Sequence, residues 1–169
     1  MNGESPARFR EVQRFGQIWI WALVLMVSGV AWYGAYQQLL LKRPFGDNPA
    51  PDSLLWVLLI LFGIGLPVFF YSLKLETEIR ADVLYYRFAP LQRRFQRIAF
   101  SDIRSAEAVV YRPLRDYGGW GIRYGPKGKA FNVRGNRGVE VVQEDGGRIM
   151  IGSQRAEELA MALGAALPG

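Results

Sequence analysis

SLLWVLLILFGIGLPVFFYSL, residues 53–73, carries no charge, and it is followed at once by KLETEIR, residues 74–80, in which apolar and polar side chains alternate. The first stretch has the composition of a membrane span, the second the period-two pattern of a strand with one buried face. The chain changes character at this junction. Residues 15–73 hold four charged side chains (Lys42, Arg43, Asp47 and Asp52), whereas residues 74–169 hold sixteen Lys or Arg and eleven Asp or Glu.

A second uncharged run lies upstream. Residues 18–41 are apolar apart from Gln37 and Gln38. As a helix these residues reach roughly 36 Å, and 53–73 reach roughly 31 Å, both enough to cross a ~30 Å hydrocarbon core. Trp19, Trp21, Tyr36, Trp56 and Tyr71 stand near the ends, where amphipathic rings favour the headgroup level. The first run is too long for the ~7–15-residue apolar region of a signal peptide, so no cleavage is expected. The connection from Lys42 to Asp52 contains three prolines and predicts a tight irregular turn between antiparallel spans. Gly63, Gly65 and Pro67 interrupt the second span and predict a packing notch or kink, and Ala31 and Ala35 in the first suit close helix contact. Arg8, Arg10, Arg14, Lys74, Arg80, Arg87 and Arg93 flank the spans on one side, against Lys42 and Arg43 in the loop. The positive-inside rule therefore predicts a multi-pass protein of the cell (inner) membrane with both termini cytoplasmic.

The remainder reads as β-structure. Alternation predicts strands over 75–79, 83–88, 94–100, 103–112, 120–124, 130–133, 139–143 and 148–151, seven or eight in all and antiparallel. Glu144-Asp-Gly-Gly147 is the clearest hairpin turn. Ser153 predicts an N-cap for an amphipathic helix over 155–167, with Leu159, Leu163 and Leu167 on its apolar face beside Ala160 and Ala166. A small barrel or sandwich capped by a helix satisfies both patterns, which divides the chain into a basic tail (1–17), a two-span hairpin (18–73) and a domain (74–169).

Leu75-Glu-Thr-Glu-Ile-Arg80, the aromatic strand Leu84-Tyr-Tyr-Arg-Phe88, Phe100-Ser-Asp-Ile103, Gly118-Gly-Trp-Gly-Ile-Arg-Tyr124, Gly135-Asn-Arg-Gly-Val139 and Ile149-Met-Ile-Gly-Ser153 carry a resemblance. The chain resembles the small uncharacterised bacterial membrane proteins that have two transmembrane helices and a C-terminal pleckstrin-homology-like domain. The resemblance implies a mainly-β barrel or sandwich capped by a C-terminal helix. Eukaryotic relatives of that fold often bind phosphoinositides through basic residues around the first hairpin. Here the corresponding turn, Arg80-Ala-Asp82, has no basic cluster, so that role is not carried over.

Two absences narrow the chemistry. Without Cys there are no thiolate nucleophiles, disulfides or thiolate metal sites; without His the usual Ser-His-Asp triad and imidazole ligands are excluded. Carboxylates such as Asp116 and Glu140 remain, unpaired in sequence. No cofactor, metal or nucleic-acid site is expected: the G-x-G-x-x-G and P-loop spacings both fail, and membrane apposition accounts for the net charge of +6. Candidate anion contacts are Arg115, Trp120, Arg123, Arg134 and Arg137, in two Gly- and Arg-rich loops, because Arg binds anions bidentately and Trp offers a stacking wall. Arg134-Gly-Asn-Arg-Gly138 reads as a hairpin connection, or as a basic turn with amides aimed at a phosphate. Candidate membrane-surface contacts are Arg8, Arg10 and Arg14 in the tail and Arg93, Arg94 and Arg97 in the domain. The three-residue spacing of Phe9, Val12 and Phe15 predicts a short interfacial helix in the tail. The expected function is a non-enzymatic, membrane-tethered binding or scaffolding domain with a protein partner, or else a sensor of anionic lipid headgroups.

Overall fold

The computed structural model describes residues 7–125 and 127–165. They form two compact units, one of Phe15–Ser72 and the other of the residues on either side of it.

The first unit is a pair of antiparallel helices, α1 (Ile18–Leu40) and α2 (Asp52–Ser72), each long and apolar enough to cross a membrane. Phe15 meets Phe70 edge-on at 6.1 Å at one end of the pair. At the other end Gln38 Nε2 donates to Ala50 O at 2.7 Å and to Asp52 Oδ1 at 2.9 Å. The Phe45 ring in the loop packs on Gly34 and on Tyr33. The middle of α2, Leu59–Gly65, is wound as a π-helix. Pro67 has no N–H, so the Gly63 carbonyl lacks its α-helical donor. Leu66 N–H reaches back to Leu61 O, which leaves the Phe62 carbonyl open too. In hydrocarbon such groups must find partners within the protein. α1 supplies both: Ser28 Oγ donates to Phe62 O at 2.8 Å and Trp32 Nε1 to Gly63 O at 3.2 Å. The interruption in α2 is thus a packing notch.

The second unit holds nine strands among the described residues. β1 (Ala7–Arg14), β2 (Lys74–Arg80), β3 (Val83–Ala89) and β4 (Gln96–Ala99) form an antiparallel sheet in that order. β5 (Ile103–Val110), β6 (Gly121–Gly125), β7 (Gly128–Asn132), β8 (Arg137–Gln143) and β9 (Arg148–Gly152) form the other, in the order β5-β8-β9-β7-β6. A short helix, α3 (Pro113–Tyr117), follows β5, and α4 (Ala156–Gly164) ends the described chain. Leu75, Ile79, Leu84 and Phe88 of the first sheet, with Val139, Val141 and Ile151 of the second, are fully buried. The Tyr86 and Phe131 rings join the two sheets at 4.9 Å. α4 packs on β5, β8 and β1, with Leu159 and Leu163 inaccessible to solvent. Burial of each such leucine contributes roughly 1.5–3 kcal/mol.

Four expectations are corrected. The tail is a strand, not an interfacial helix: β1 pairs with β2 along its length, with Phe9, Glu11 and Gln13 buried and Arg8, Arg10, Val12 and Arg14 exposed. Two of its three inward positions are polar, so the alternation is hidden in the sequence. Not every strand pair is antiparallel, since β7 and β9 run parallel. The Arg134–Gly138 segment is not a hairpin connection, because β7 and β8 are not neighbours. The N-cap is Arg155 rather than Ser153, whose buried hydroxyl accepts from Arg155 N–H at 2.9 Å. Ala166 and Leu167 lie outside the described residues, as does Pro126 in the β6–β7 turn.

β1 is stitched to the junction of β9 and α4. The Glu11 carboxylate accepts from Ser153 Oγ–H at 2.6 Å and from Gln154 N–H at 3.0 Å. Gln13 Nε2 donates to Gly152 O at 2.6 Å. Arg155 donates to Arg10 O at 3.2 Å and lies over the Phe9 ring. The residues before the first helix therefore complete the domain that follows the second.

Candidate functional site

Residues 112–125, which hold Arg112, Arg115, Arg123 and four glycines, fold into α3 and the edge strand β6. α3 begins with Pro113, whose ring presets the first helical turn, and stops at Gly118, which takes φ +73°. Gly118 N–H bonds Leu114 O at 3.0 Å and Gly119 N–H bonds Pro113 O at 2.9 Å, closing the helix end. The Pro113…Gly118 spacing was the available signal for this helix.

α3, the end of β5 and the β6–β7 turn enclose an open cleft of about 640 Å³, lined by Val110, Tyr111, Arg112, Arg115, Asp116 and Lys127. Asp116 organises it. Its Oδ2 accepts from Arg112 N–H at 2.8 Å and its Oδ1 from Lys127 Nζ at 3.2 Å. These bonds, first from the Arg112 amide and then from Lys127, hold its carboxyl below the ordinary range. With Asp116 committed to Lys127, the exposed Arg112 and Arg115 leave the cleft positive. Val110 in the lining is 70% exposed, and Leu114, next to Arg115 on α3, is 68% exposed; Tyr124 of β6 is also exposed but lies outside the lining, with Lys129 over its ring at 5.7 Å. At the cleft floor, burial, with Tyr117 alongside, pushes the Tyr111 phenol up to about 12, against the opposing influence of Asn132. Burial first, then the charges of Glu140 and Asp116, also raise the Tyr117 phenol.

The two Gly- and Arg-rich loops meet. Trp120 Nε1 donates to Gly135 O at 3.1 Å, and Tyr111 N–H to Asn136 O at 2.8 Å. Gln154 Nε2 donates to Arg134 O at 3.2 Å and Ser153 N–H to Arg137 O at 3.1 Å. Four successive carbonyls, 134–137, are thus tied to the body of the domain. The five candidate anion contacts fall into different roles. Arg115 lines the cleft. Trp120 pins one loop to the other, and Arg123 folds back so that its Nε donates to Trp120 O at 3.0 Å. Arg134 is exposed, and Arg137 is ion-paired with Glu157 of α4. Arg112 and Lys127 join Arg115 in the cleft; Lys127 is distant enough in sequence that only the β6–β7 hairpin brings it there.

Among the candidate membrane contacts, Arg10 pairs with Glu78 at 3.0 Å. Arg93 and Arg94 stand exposed in the β3–β4 loop, and Arg97 on the outer face of β4. Arg8 and Arg14 lie near opposite ends of β1. Among the described residues there is no group of His, Cys, Asp and Glu able to hold a metal ion.

Residues 2–168 match a sequence family described as a family of unknown function, DUF6141. The chain belongs to DUF6141. The match takes in the helix pair and the β-domain alike. Among curated proteins, none matches this DUF6141 chain.

Proposed function

We propose that this DUF6141 protein is a non-enzymatic, two-span membrane protein that holds a pleckstrin-homology-like binding domain at the cytoplasmic face. Two sheets capped by a C-terminal helix support the domain reading, and the excess of Lys and Arg flanking the apolar helices supports the orientation. The occupant of the cleft is an acidic segment of a protein partner. One observation carries this: the exposed Val110 lines the cleft together with the exposed Arg112 and Arg115, and Leu114, beside Arg115 on α3, is exposed as well, so that apolar side chains interleave with arginine as they do at protein-binding surfaces. Tethering gives such a domain a high effective concentration for membrane-bound partners.

The test is a photo-crosslinking residue in place of Leu114, in the full-length protein in native membranes. The expected result is one discrete adduct, lost in Arg112→Glu and Arg115→Glu. An adduct pattern indifferent to both charge reversals overturns the reading. The exposed Arg134, with no acidic partner among the described residues, favours a second reading in which these loops bind anionic headgroups. In that case Arg115→Glu and Arg134→Glu abolish a preference of the domain for anionic over neutral lipid, and an unchanged preference excludes it.

A further inference from the structure

We propose that the β3–β4 loop, residues 90–95, is a docking surface for an anionic bilayer, a role separate from the cleft. The inference rests on the two-span reading of α1 and α2. Register places the loop. Arg14 of β1 pairs with Lys74 of β2, and Lys74 pairs with Ala89 of β3, so these three residues form one row across the sheet. From that row β1 continues toward α1 through residues 15–17, β2 is entered from α2 through Leu73, and β3 runs into the loop. The loop therefore shares its end of the sheet with both connections to the apolar helices. The opposite end, where Ala7, Arg80, Val83 and Ala99 align, is six residues away, roughly 20 Å along the strands.

The loop is built to present its side chains. Gln92 N–H donates to Phe88 O at 2.8 Å, and Phe88 N–H to Gln92 Oε1 at 2.9 Å. Phe95 is held under the Arg87 guanidinium, 4.3 Å from the ring centre, and edge-on to Tyr85. What this scaffold leaves outward is Leu91, 57% exposed, with Arg93 and Arg94. An exposed leucine flanked by two exposed arginines suits the lipid interface, where the apolar side chain enters the acyl boundary and the cations meet anionic headgroups. Charge complementarity and continuity with the spans select an anionic bilayer over a soluble partner. The same register assigns no such role to Arg8, Arg80 or Arg97, although Arg8 and Arg97 are exposed too.

The chain has no cysteine, which makes the experiment direct. The full-length Leu91→Cys protein, spin-labelled, is reconstituted into nanodiscs of phosphatidylcholine with and without phosphatidylglycerol, and contact with a lipid-borne relaxation agent is measured. Asp82→Cys, in the turn at the far end of the sheet, is the control. Contact at position 91 is expected to rise with phosphatidylglycerol and to fall in salt that shortens the screening length to about 3 Å. It is expected to fall roughly tenfold or more in Arg93→Glu/Arg94→Glu, since each basic residue near an anionic surface weights contact about fivefold. Arg8→Glu and the position 82 label are expected to change nothing. A chain that does not co-purify with the discs overturns the two-span reading and the docking surface with it. A chain that incorporates, yet shows contact at position 91 independent of lipid charge or of Arg93 and Arg94, overturns the docking surface alone.

Discussion

Glu11 shows how one side chain joins distant parts of the chain. It lies buried on β1, and its two oxygens take the Ser153 hydroxyl and the Gln154 amide ahead of α4. Glu11→Ala would leave both donors unpaired in the interior, a loss of about 1–3 kcal/mol. Glu11→Gln keeps one acceptor and should cost less; thermal unfolding of the full-length protein orders the three. Glu76 sets a pH response. Burial alone would raise its carboxyl, but hydrogen bonds from Arg87 and Lys74 outweigh that and hold it below the ordinary value of 4.5. A lowered folded value means that its contribution to stability is complete above pH 4.5 and drains away as pH falls through the lowered value. Glu76→Gln should flatten the acid limb of a stability-against-pH curve, and an unchanged limb would reject this origin. Asp116 works locally in the same sense. Asp116→Ala frees Lys127 and takes the acceptor from Arg112 N–H, so amide exchange at Arg112 should quicken while the sheets stay protected.

At the scale of elements, the π-turn of α2 and the polar residues of α1 form one device. Pro67 and the wide turn expose two carbonyls, and Ser28 and Trp32 meet them. On the two-span reading, Ser28→Ala should weaken the helix pair by about 0.6 kcal/mol, the usual worth of an interhelical bond in a membrane. Gly63→Ala should cost more, because an added Cβ would stand 2.8 Å from Leu59 Cδ1 and 3.1 Å from Trp32 Nε1. Leu59 can swing aside, but the indole must withdraw and give up its bond to the Gly63 carbonyl. Cysteine pairs across α1 and α2, crosslinked in detergent, measure both effects. β1 carries the corresponding lesson for the domain: its inward side is Phe9, Glu11 and Gln13, so it reads as a charged tail until Gly152, Ser153 and Gln154 are seen to supply its partners.

At the scale of the whole molecule, the domain is discontinuous, with 7–14 on one side of the helix pair and 73–165 on the other. Residues 74–169 expressed alone would expose the edge of β2 and the pocket that Phe9 fills. That fragment is expected to show cooperative unfolding only when residues 7–14 are restored through a linker, and circular dichroism against temperature distinguishes the two forms. Cooperative unfolding without β1 would show that the strand is an accessory.

Much of this was legible in the chain. Two uncharged runs determine two apolar helices, because length and the absence of charge are local properties that no neighbour can alter. Alternation located the eight strands after the helices within a few residues, and Leu159 and Leu163 announced the buried face of α4. Other features depended on partners far away in sequence. β1 escaped because inward polar residues are tolerable only where a partner satisfies them. The parallel pairing of β7 and β9 escaped because alternation shows which face a residue occupies but not its neighbouring strand. The cleft escaped in part because Lys127 reaches Asp116 only through the β6–β7 hairpin. Periodicity and charge are written residue by residue and so are determined by the sequence; the completion of the sheet by β1 and the arrival of Lys127 at the cleft were decided by long-range hydrogen bonding, which exists only once the sheets have formed.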